Sequence, residues 1–252
     1  MKKLALIVGG VLGLGGIAYG LTRLFRRGSA GGGAGFDGPA LATIGWTPAQ
    51  IQTAAWFWDE WAKEGKLTPE QRIDLLAVAK MESGVNPKAR SHPDLADEQF
   101  GGSYTAFQIR FDVLRDALKQ DLAKVIPPKD TTGAALEPYA RAQARAASAF
   151  ARYNNWLSKM TAFAAGNVDR LAVEIGMVWG FGPGKNFTWA LAQPANASLQ
   201  GRIPDYATNA QIIEIMDEAK RSGDVGPVGS GTATALRKLQ AARDIRRAWG
   251  IA

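Results

Sequence analysis

The stretch TPEQRIDLLAVAKMES, residues 68–83, predicts a helix with a well-defined beginning. Thr68 is a good cap residue, Pro69 suits the first helical position, and Gln71 can return a hydrogen bond to the cap. The stretch TPAQ, residues 47–50, repeats this arrangement before a second apolar-rich segment. Two such beginnings, followed by helical rather than alternating apolar spacing, predict a mainly α-helical protein.

The far end of the first of these helices carries an acidic residue, Glu82. Leu75, Val78 and Ala79 precede it by seven, four and three positions, which places Glu82 on the apolar side of the helix. A carboxyl group that is partly removed from water keeps its proton more readily, and a general acid needs this property. Glu82 is therefore a candidate catalytic residue, and an ordinary solvated carboxylate at a helix end is the alternative.

The composition limits the chemistry that the chain can carry out. Its 252 residues, 46% of them hydrophobic and 21% charged, suit one globular domain with appendages. With no cysteine and a single histidine, thiol nucleophiles, Cys/His zinc sites and multi-histidine metal sites are excluded. The net charge of +7 suits an anionic partner such as a membrane surface, a nucleic acid or a cell-wall polymer.

The first 27 residues predict a membrane anchor. Residues 4–22 form an uncharged run of bilayer-spanning length between basic residues. A cleaved signal peptide is the alternative, although no small-x-small site follows promptly. Two pairs of glycines at four-residue spacing would also allow self-association of such helices in lipid: Gly9 with Gly13, and Gly16 with Gly20.

A glycine-rich linker at residues 28–40 separates this anchor from a domain predicted at residues 41–221. A short β-hairpin within residues 91–109 is compatible with the pattern. Aromatic residues on the helix after Pro48 are expected in the core: Trp56, Phe57, Trp58 and Trp61. Further helices are predicted at residues 112–123, 137–165, 168–179 and 208–221.

The C-terminal region predicts a second flexible joint at residues 222–231 and a short basic helix at residues 232–252. Leu239 and Ile245 belong to its imperfect apolar side, and Lys238 is one of several basic residues beside them. Such a helix can lie on an anionic lipid surface or bind nucleic acid. A solvated helix, or one docked in the core, is the alternative.

The residues that follow the predicted helix at residues 68–83 add a resemblance to a known family. The stretch ESGVNPKARS, residues 82–91, resembles the signature Glu-Ser-x-Phe-x-Pro-x-Ala-x-Ser of the lytic transglycosylases in the goose-type lysozyme superfamily, with Val85 in place of Phe. A second stretch, GSYTAFQI at residues 102–109, is similar to the family's Gly-Ala-x-Gly-Leu-Met-Gln-Ile, with Thr105 in place of the second glycine.

Two later stretches extend the resemblance. WGFGPGKNFTW, residues 179–189, is similar to the family's Tyr-Asn-Ala-Gly-Pro-Gly followed by Trp, with Gly180 in place of Asn. IPDYATNAQI, residues 203–212, is similar to Ile-Pro-x-x-x-Thr-x-x-Tyr-Val, with Gln211 in place of Tyr. Four stretches in the family's order are more specific than any one of them.

This resemblance implies a lysozyme-like α-helical domain that cleaves the β-1,4 bond between N-acetylmuramic acid and N-acetylglucosamine in the glycan strands of peptidoglycan. It implies that Glu82 protonates the glycosidic oxygen and then takes a proton from the muramyl 6-hydroxyl, which closes a 1,6-anhydro ring. No metal or cofactor takes part. The substrate-binding residues that it implies are Ser83, Tyr104, Gln108, Trp179, Gly180 and Phe181.

Two other functions stay open. A hydrolytic lysozyme of the same fold would need a second carboxyl group, and the insertion at residues 92–101 offers Asp94, Asp97 and Glu98. A non-catalytic, membrane-anchored glycan-binding protein is the other, since several motif positions depart from the family. The anchor and tether suit local opening of the wall, either from the membrane of a bacteriophage particle, which we favour, or from a bacterial inner membrane with the domain facing the periplasm.

Overall fold

The computed structural model describes residues 35–91, 102–181 and 229–251, and this part of the chain is mostly helical. The mainly α prediction is confirmed for these residues. None of their helices is long and apolar enough to cross a membrane. The predicted anchor at residues 4–22 and the predicted helix at residues 208–221 lie outside the described residues.

Among the residues that the structure describes, one antiparallel hairpin follows the third helix. Its strands are β1 (Ser103–Tyr104) and β2 (Ile109–Arg110), so the expected short hairpin is present. The helices are α1 (Gly38–Thr43), α2 (Pro48–Glu64), α3 (Pro69–Ser83), α4 (Leu122–Val125), α5 (Glu137–Arg152), α6 (Trp156–Ala164), α7 (Val168–Phe181) and α8 (Gly229–Ala248).

The beginnings of α2 and α3 have the predicted hydrogen bonds. In α3, Thr68 Oγ1 accepts from the Gln71 backbone N–H at 3.3 Å, and Gln71 Oε1 accepts from the Thr68 N–H at 2.9 Å. Thr47 and Gln50 make the same reciprocal pair at the start of α2. Both predicted capping boxes are therefore confirmed. They could be predicted because each is a local pattern that needs no distant partner.

Two predicted helices are less continuous than the apolar spacing indicates. The segment predicted as a helix at residues 112–123 instead forms a π-helical turn at Val113–Ala117, and Lys119 with φ +52° separates that turn from α4. The helix predicted at residues 137–165 is broken between α5 and α6, where Asn154 and Asn155 take φ +52° and +60°. Asparagine tolerates this left-handed conformation better than most residues, so the break falls there.

The prediction of a glycine-rich linker at residues 28–40 is wrong at its C-terminal end, because α1 begins at Gly38, inside that range. The Asp37 side chain caps this helix by accepting from the Ala40 N–H at 3.0 Å. Just before it, the ring of Phe36 packs against Trp58 and Trp249, with ring centroids 6.3 and 5.9 Å apart. The folded part of the chain therefore includes these residues.

The core forms around α2 and α3. The four aromatic residues of α2 that were expected in the core are buried, with Phe57 and Trp61 fully so. Trp61 also donates from its indole nitrogen to the Ala144 carbonyl in α5 at 2.7 Å, which satisfies its polar atom. Phe57 packs against Phe107 in the hairpin turn at 4.9 Å, so the hairpin rests directly on this core.

The C-terminal helix α8 is part of the same core and packs against α3 and α7. Four residues of its apolar side are completely buried, so the core-docked alternative describes its position, and these residues are not available to a lipid surface. The residues that lose all exposure are Ala235, Leu239, Ala242 and Ile245.

Two arginines of α8 form an ion-pair network with buried and half-buried carboxylates. Arg246 contacts Asp74 of α3, and their side chains are 5% and 1% exposed. Arg246 also approaches Asp169 of α7 at 3.7 Å, and Arg243 bonds the same Asp169 at 2.7 Å. The basic residues of this helix therefore bind the chain's own carboxylates at these positions.

Asp74 makes the stability of the domain depend on pH. Burial raises the pKa of Asp74 to about 7, against the opposing effect of Arg246. Between pH 4 and 7 the folded state then holds a proton that the unfolded state has released, so the free energy of unfolding falls as pH rises, by on the order of 2–4 kcal/mol. We expect Asp74→Asn to remove most of this fall, measured by urea unfolding at pH 5 and pH 8. An unchanged pH dependence in the variant would contradict the assignment.

Candidate active site

Glu82 lies in the last turn of α3, and its side chain is 21% exposed, as its place on the apolar side of the helix predicts. The helix ends at Gly84 with φ +68°, and Val85 continues in the same left-handed region with φ +62°. Gln50 of α2 donates from Nε2 to the Gly84 carbonyl at 2.9 Å. Gln50, which belongs to the capping box at the start of α2, thus also holds the end of α3 beside Glu82.

Ser83 connects the end of α3 to the hairpin turn. Its hydroxyl donates to the Ala106 carbonyl at 2.8 Å and accepts from the Asn86 backbone N–H at 3.0 Å. A longer contact of 3.3 Å leads back to the Ala79 carbonyl in the helix. Ser83 therefore fixes the backbone next to Glu82.

The stretches ESGVNPKARS and GSYTAFQI lie side by side. The Ser91 N–H donates to the Ser103 carbonyl at 2.9 Å, and the Thr105 N–H donates to the Ala89 carbonyl at 3.1 Å. The Ser91 hydroxyl also accepts from the Ser103 N–H at 2.8 Å. Two parts of the chain that the resemblance treats as separate motifs thus form one backbone unit.

Thr105 stands where the family has glycine, and its φ of +77° is one that glycine adopts easily. The buried hydroxyl of Thr105 accepts from the Phe107 N–H at 3.2 Å, which stabilises this conformation locally. Gln108 follows with φ +50°, and its side chain donates to the Thr105 carbonyl at 3.0 Å. The turn therefore keeps the glycine-like backbone, and Gln108 is half-buried at its end.

Trp179 brings the start of the third stretch to this turn. Its indole nitrogen donates to the Phe107 carbonyl at 2.8 Å, and its ring packs edge-on against Phe150 with centroids 4.9 Å apart.

Tyr104 is 3% exposed and packs against Phe111, which is the environment of a core residue rather than of a sugar-stacking platform.

The structure describes only some of the other predicted site residues. Gly180 and Phe181 occupy the last turn of α7, directly after Trp179. Asp94, Asp97 and Glu98, together with residues 182–189 and 203–212, lie outside the described residues.

Gln143 of α5 is a residue of this region that the sequence reasoning missed. It is fully buried, and its Nε2 donates to the carbonyls of Pro87 at 2.8 Å and Val125 at 2.9 Å. Its Oε1 accepts from the Ala106 N–H at 3.1 Å. One amide thus holds both stretches that meet beside Glu82. The only signal in the sequence is a glutamine among the buried alanines of α5.

Replacing Gln143 with Ala is expected to lower the free energy of unfolding by about 3 kcal/mol, because three buried backbone groups lose their partner and a cavity is left. Urea unfolding measures this change. Gln240→Ala, the same substitution at an exposed position of α8, is the control and is expected to change stability by less than about 0.5 kcal/mol. Equal effects in the two variants would contradict the positioning role of Gln143.

Lys238 of α8 is the second residue that the sequence reasoning missed. Its ammonium nitrogen lies 2.6 Å from Glu82 Oε1, and its side chain is 1% exposed. It also donates to the Gly176 carbonyl at 3.4 Å. Burial lowers the pKa of Lys238, with the neighbouring Glu82 acting in the opposite direction. The basic pattern of the C-terminal helix gave no sign that this one lysine points inward.

Within residues 35–91, 102–181 and 229–251, no group of three or more histidine, cysteine, aspartate or glutamate side chains could hold a metal ion. Comparisons of the chain with models of protein families, with curated proteins and with solved structures gave no match.

Proposed function

We propose that this chain is a peptidoglycan lytic transglycosylase with a lysozyme-like domain, and that Glu82 is its catalytic acid and base. The observation that supports this most strongly is that the stretches at residues 82–91 and 102–109 meet beside Glu82, and that Trp179, at the start of the third stretch, bonds the same turn. Ser83 bonds Ala106 at 2.8 Å, and Trp179 bonds Phe107 at 2.8 Å. Unrelated matches to short motifs would not be expected to meet in this way.

The proposed reaction needs one protein carboxyl group. Glu82 protonates the glycosidic oxygen, the substrate's acetamido group stabilises the electron-deficient carbon, and Glu82 then takes the proton of the muramyl 6-hydroxyl as that oxygen closes the ring. A hydrolytic lysozyme would need a second carboxyl group to act as nucleophile or to activate water. In the described part of the chain the charged group bonded to Glu82 is Lys238.

We propose that the enzyme is held at a membrane and opens the cell wall locally. Residues 4–22 would anchor it in the membrane of a bacteriophage particle, and a bacterial inner membrane with the domain facing the periplasm is the alternative. The glycine-rich residues that precede Phe36 would act as the tether.

The test of this function is the release of soluble fragments from purified peptidoglycan sacculi by the full chain in detergent. We expect steady release of soluble muropeptides and a fall in turbidity. A chain that sediments with the sacculi and releases nothing would instead be a glycan-binding protein, and the proposed function would be wrong.

A further inference from the structure

The contact between Lys238 and Glu82 joins two residues that are far apart in the chain. The apolar side of α8 is docked against α3 and α7, and this docking carries Lys238 to the end of α3. Lys238 is almost fully buried and Glu82 is partly exposed. The ammonium therefore contacts the carboxylate from the buried side, and the other side of the carboxylate faces solvent. A lysine that served only solubility would not be placed here, since burying an ammonium is costly unless it is paired.

Gly176 of α7 is part of the same arrangement. A methyl group added at this position would lie 3.2 Å from the Ala235 Cα and 3.4 Å from the Lys238 Cδ. The missing side chain therefore lets α7 and α8 approach closely, and the Gly176 carbonyl accepts from the ammonium. Backbone and side chains on two helices thus hold the lysine in one place.

We propose that Lys238 is a positioning residue for Glu82: it fixes the carboxylate and stabilises the negative charge that forms there when the proton leaves for the glycosidic oxygen. This inference rests on the proposed function. A buried charge that is held in place before the reaction stabilises a developing opposite charge more than the same charge would in water.

Lys238 exchanges no proton in this scheme. In the first step the O–H bond of Glu82 breaks, its proton goes to the glycosidic oxygen, and the bond between that oxygen and the muramyl C1 breaks. In the second step the bond between O6 and C1 forms, and the 6-hydroxyl proton returns to Glu82. The ammonium keeps its three protons, and the pair ends the cycle with the charge with which it began.

Removal of the ammonium should therefore lower the maximal rate of cleavage. Among the described residues, the charge of Arg237, its neighbour in α8, also acts on Lys238, and α7 contributes the Gly176 carbonyl. Glu82 is the partner that α3 supplies.

The experiment measures kcat and KM of wall cleavage for the full chain and two variants. Lys238→Met removes the charge and the hydrogen bond, and Lys238→Gln removes the charge but keeps an N–H donor. For both we expect a maximal rate about tenfold lower, a part of the roughly 10²–10⁴ that general acid–base catalysis contributes. We expect KM to change little, because Lys238 acts through Glu82.

The control is Arg247→Met, which removes a charge from the same helix at a side chain that is 73% exposed, and which should leave both constants unchanged. Thermal unfolding shows whether each variant is folded, and Lys238→Gln serves if Lys238→Met is not. An unchanged kcat in a folded variant, or a loss that lies in KM alone, would reduce Lys238 to a structural role. A higher maximal rate would make it an inhibitory contact, and either result overturns the proposal. If the unaltered chain cuts no wall, the proposed function fails instead.

Discussion

Replacing Glu82 with Gln is expected to lower the rate of peptidoglycan cleavage by about 10²- to 10⁴-fold, the range that general acid–base catalysis contributes. The substitution is nearly isosteric, so it removes the proton donor while keeping the size of the side chain. Because the proposed cycle uses Glu82 twice, first as acid and then as base, we expect a loss near the upper end of that range.

The measurement is the clearing of purified sacculi by the full chain, with each variant's unfolding temperature recorded beside its rate. Glu70→Gln is the matched control, since it makes the same change at an exposed position in the first turn of the same helix. Its rate should stay close to that of the unaltered chain. Clearing by Glu82→Gln at an undiminished rate would show that Glu82 is not the catalyst.

Removing α8 by ending the chain at residue 228 is expected to unfold the domain. Leu239 and Ile245 alone bury side chains whose truncation to alanine costs about 2–5 kcal/mol each, and the deletion also exposes the apolar surfaces of α3 and α7. Asp74 loses Arg246, its buried partner, as well. The sum is comparable to the whole stability of a typical domain, about 5–15 kcal/mol.

Thermal unfolding followed by near-ultraviolet circular dichroism measures this effect. The control ends the chain at residue 250 and removes Ile251, which is 44% exposed, together with the final residue. We expect this control to unfold cooperatively, close to the temperature of the full chain. Cooperative unfolding of the chain that lacks α8 at that same temperature would show that the helix is not needed by the core.

The parts of the fold that local patterns determine were predictable from the sequence. The capping boxes at Thr47 and Thr68 fix the beginnings of α2 and α3 through hydrogen bonds within four residues. The partly buried position of Glu82 follows from the helical spacing of its apolar neighbours. The break at Asn154 was not predicted, because apolar spacing continues on both sides of it and carries no information about a single left-handed residue.

The parts that depend on distant contacts could not be predicted in this way. An amphipathic basic helix has the same pattern whether it lies on lipid or docks in a core, so the position of α8 needed the structure. For the same reason Lys238 was one basic residue among several until its contact with Glu82 was seen. Gln143 is similar, since its three hydrogen bonds reach residues 18 to 56 positions away.

The chemical identity of the product tests the central claim most directly. Sacculi digested by the full chain in isotopically labelled water, and analysed by mass spectrometry, should yield muropeptides that end in 1,6-anhydro-muramic acid. These products are lighter by one water than reducing-end muropeptides and carry no label, because the muramyl 6-hydroxyl takes the place of solvent. Reducing-end products that contain the labelled oxygen would contradict the account and identify a hydrolase.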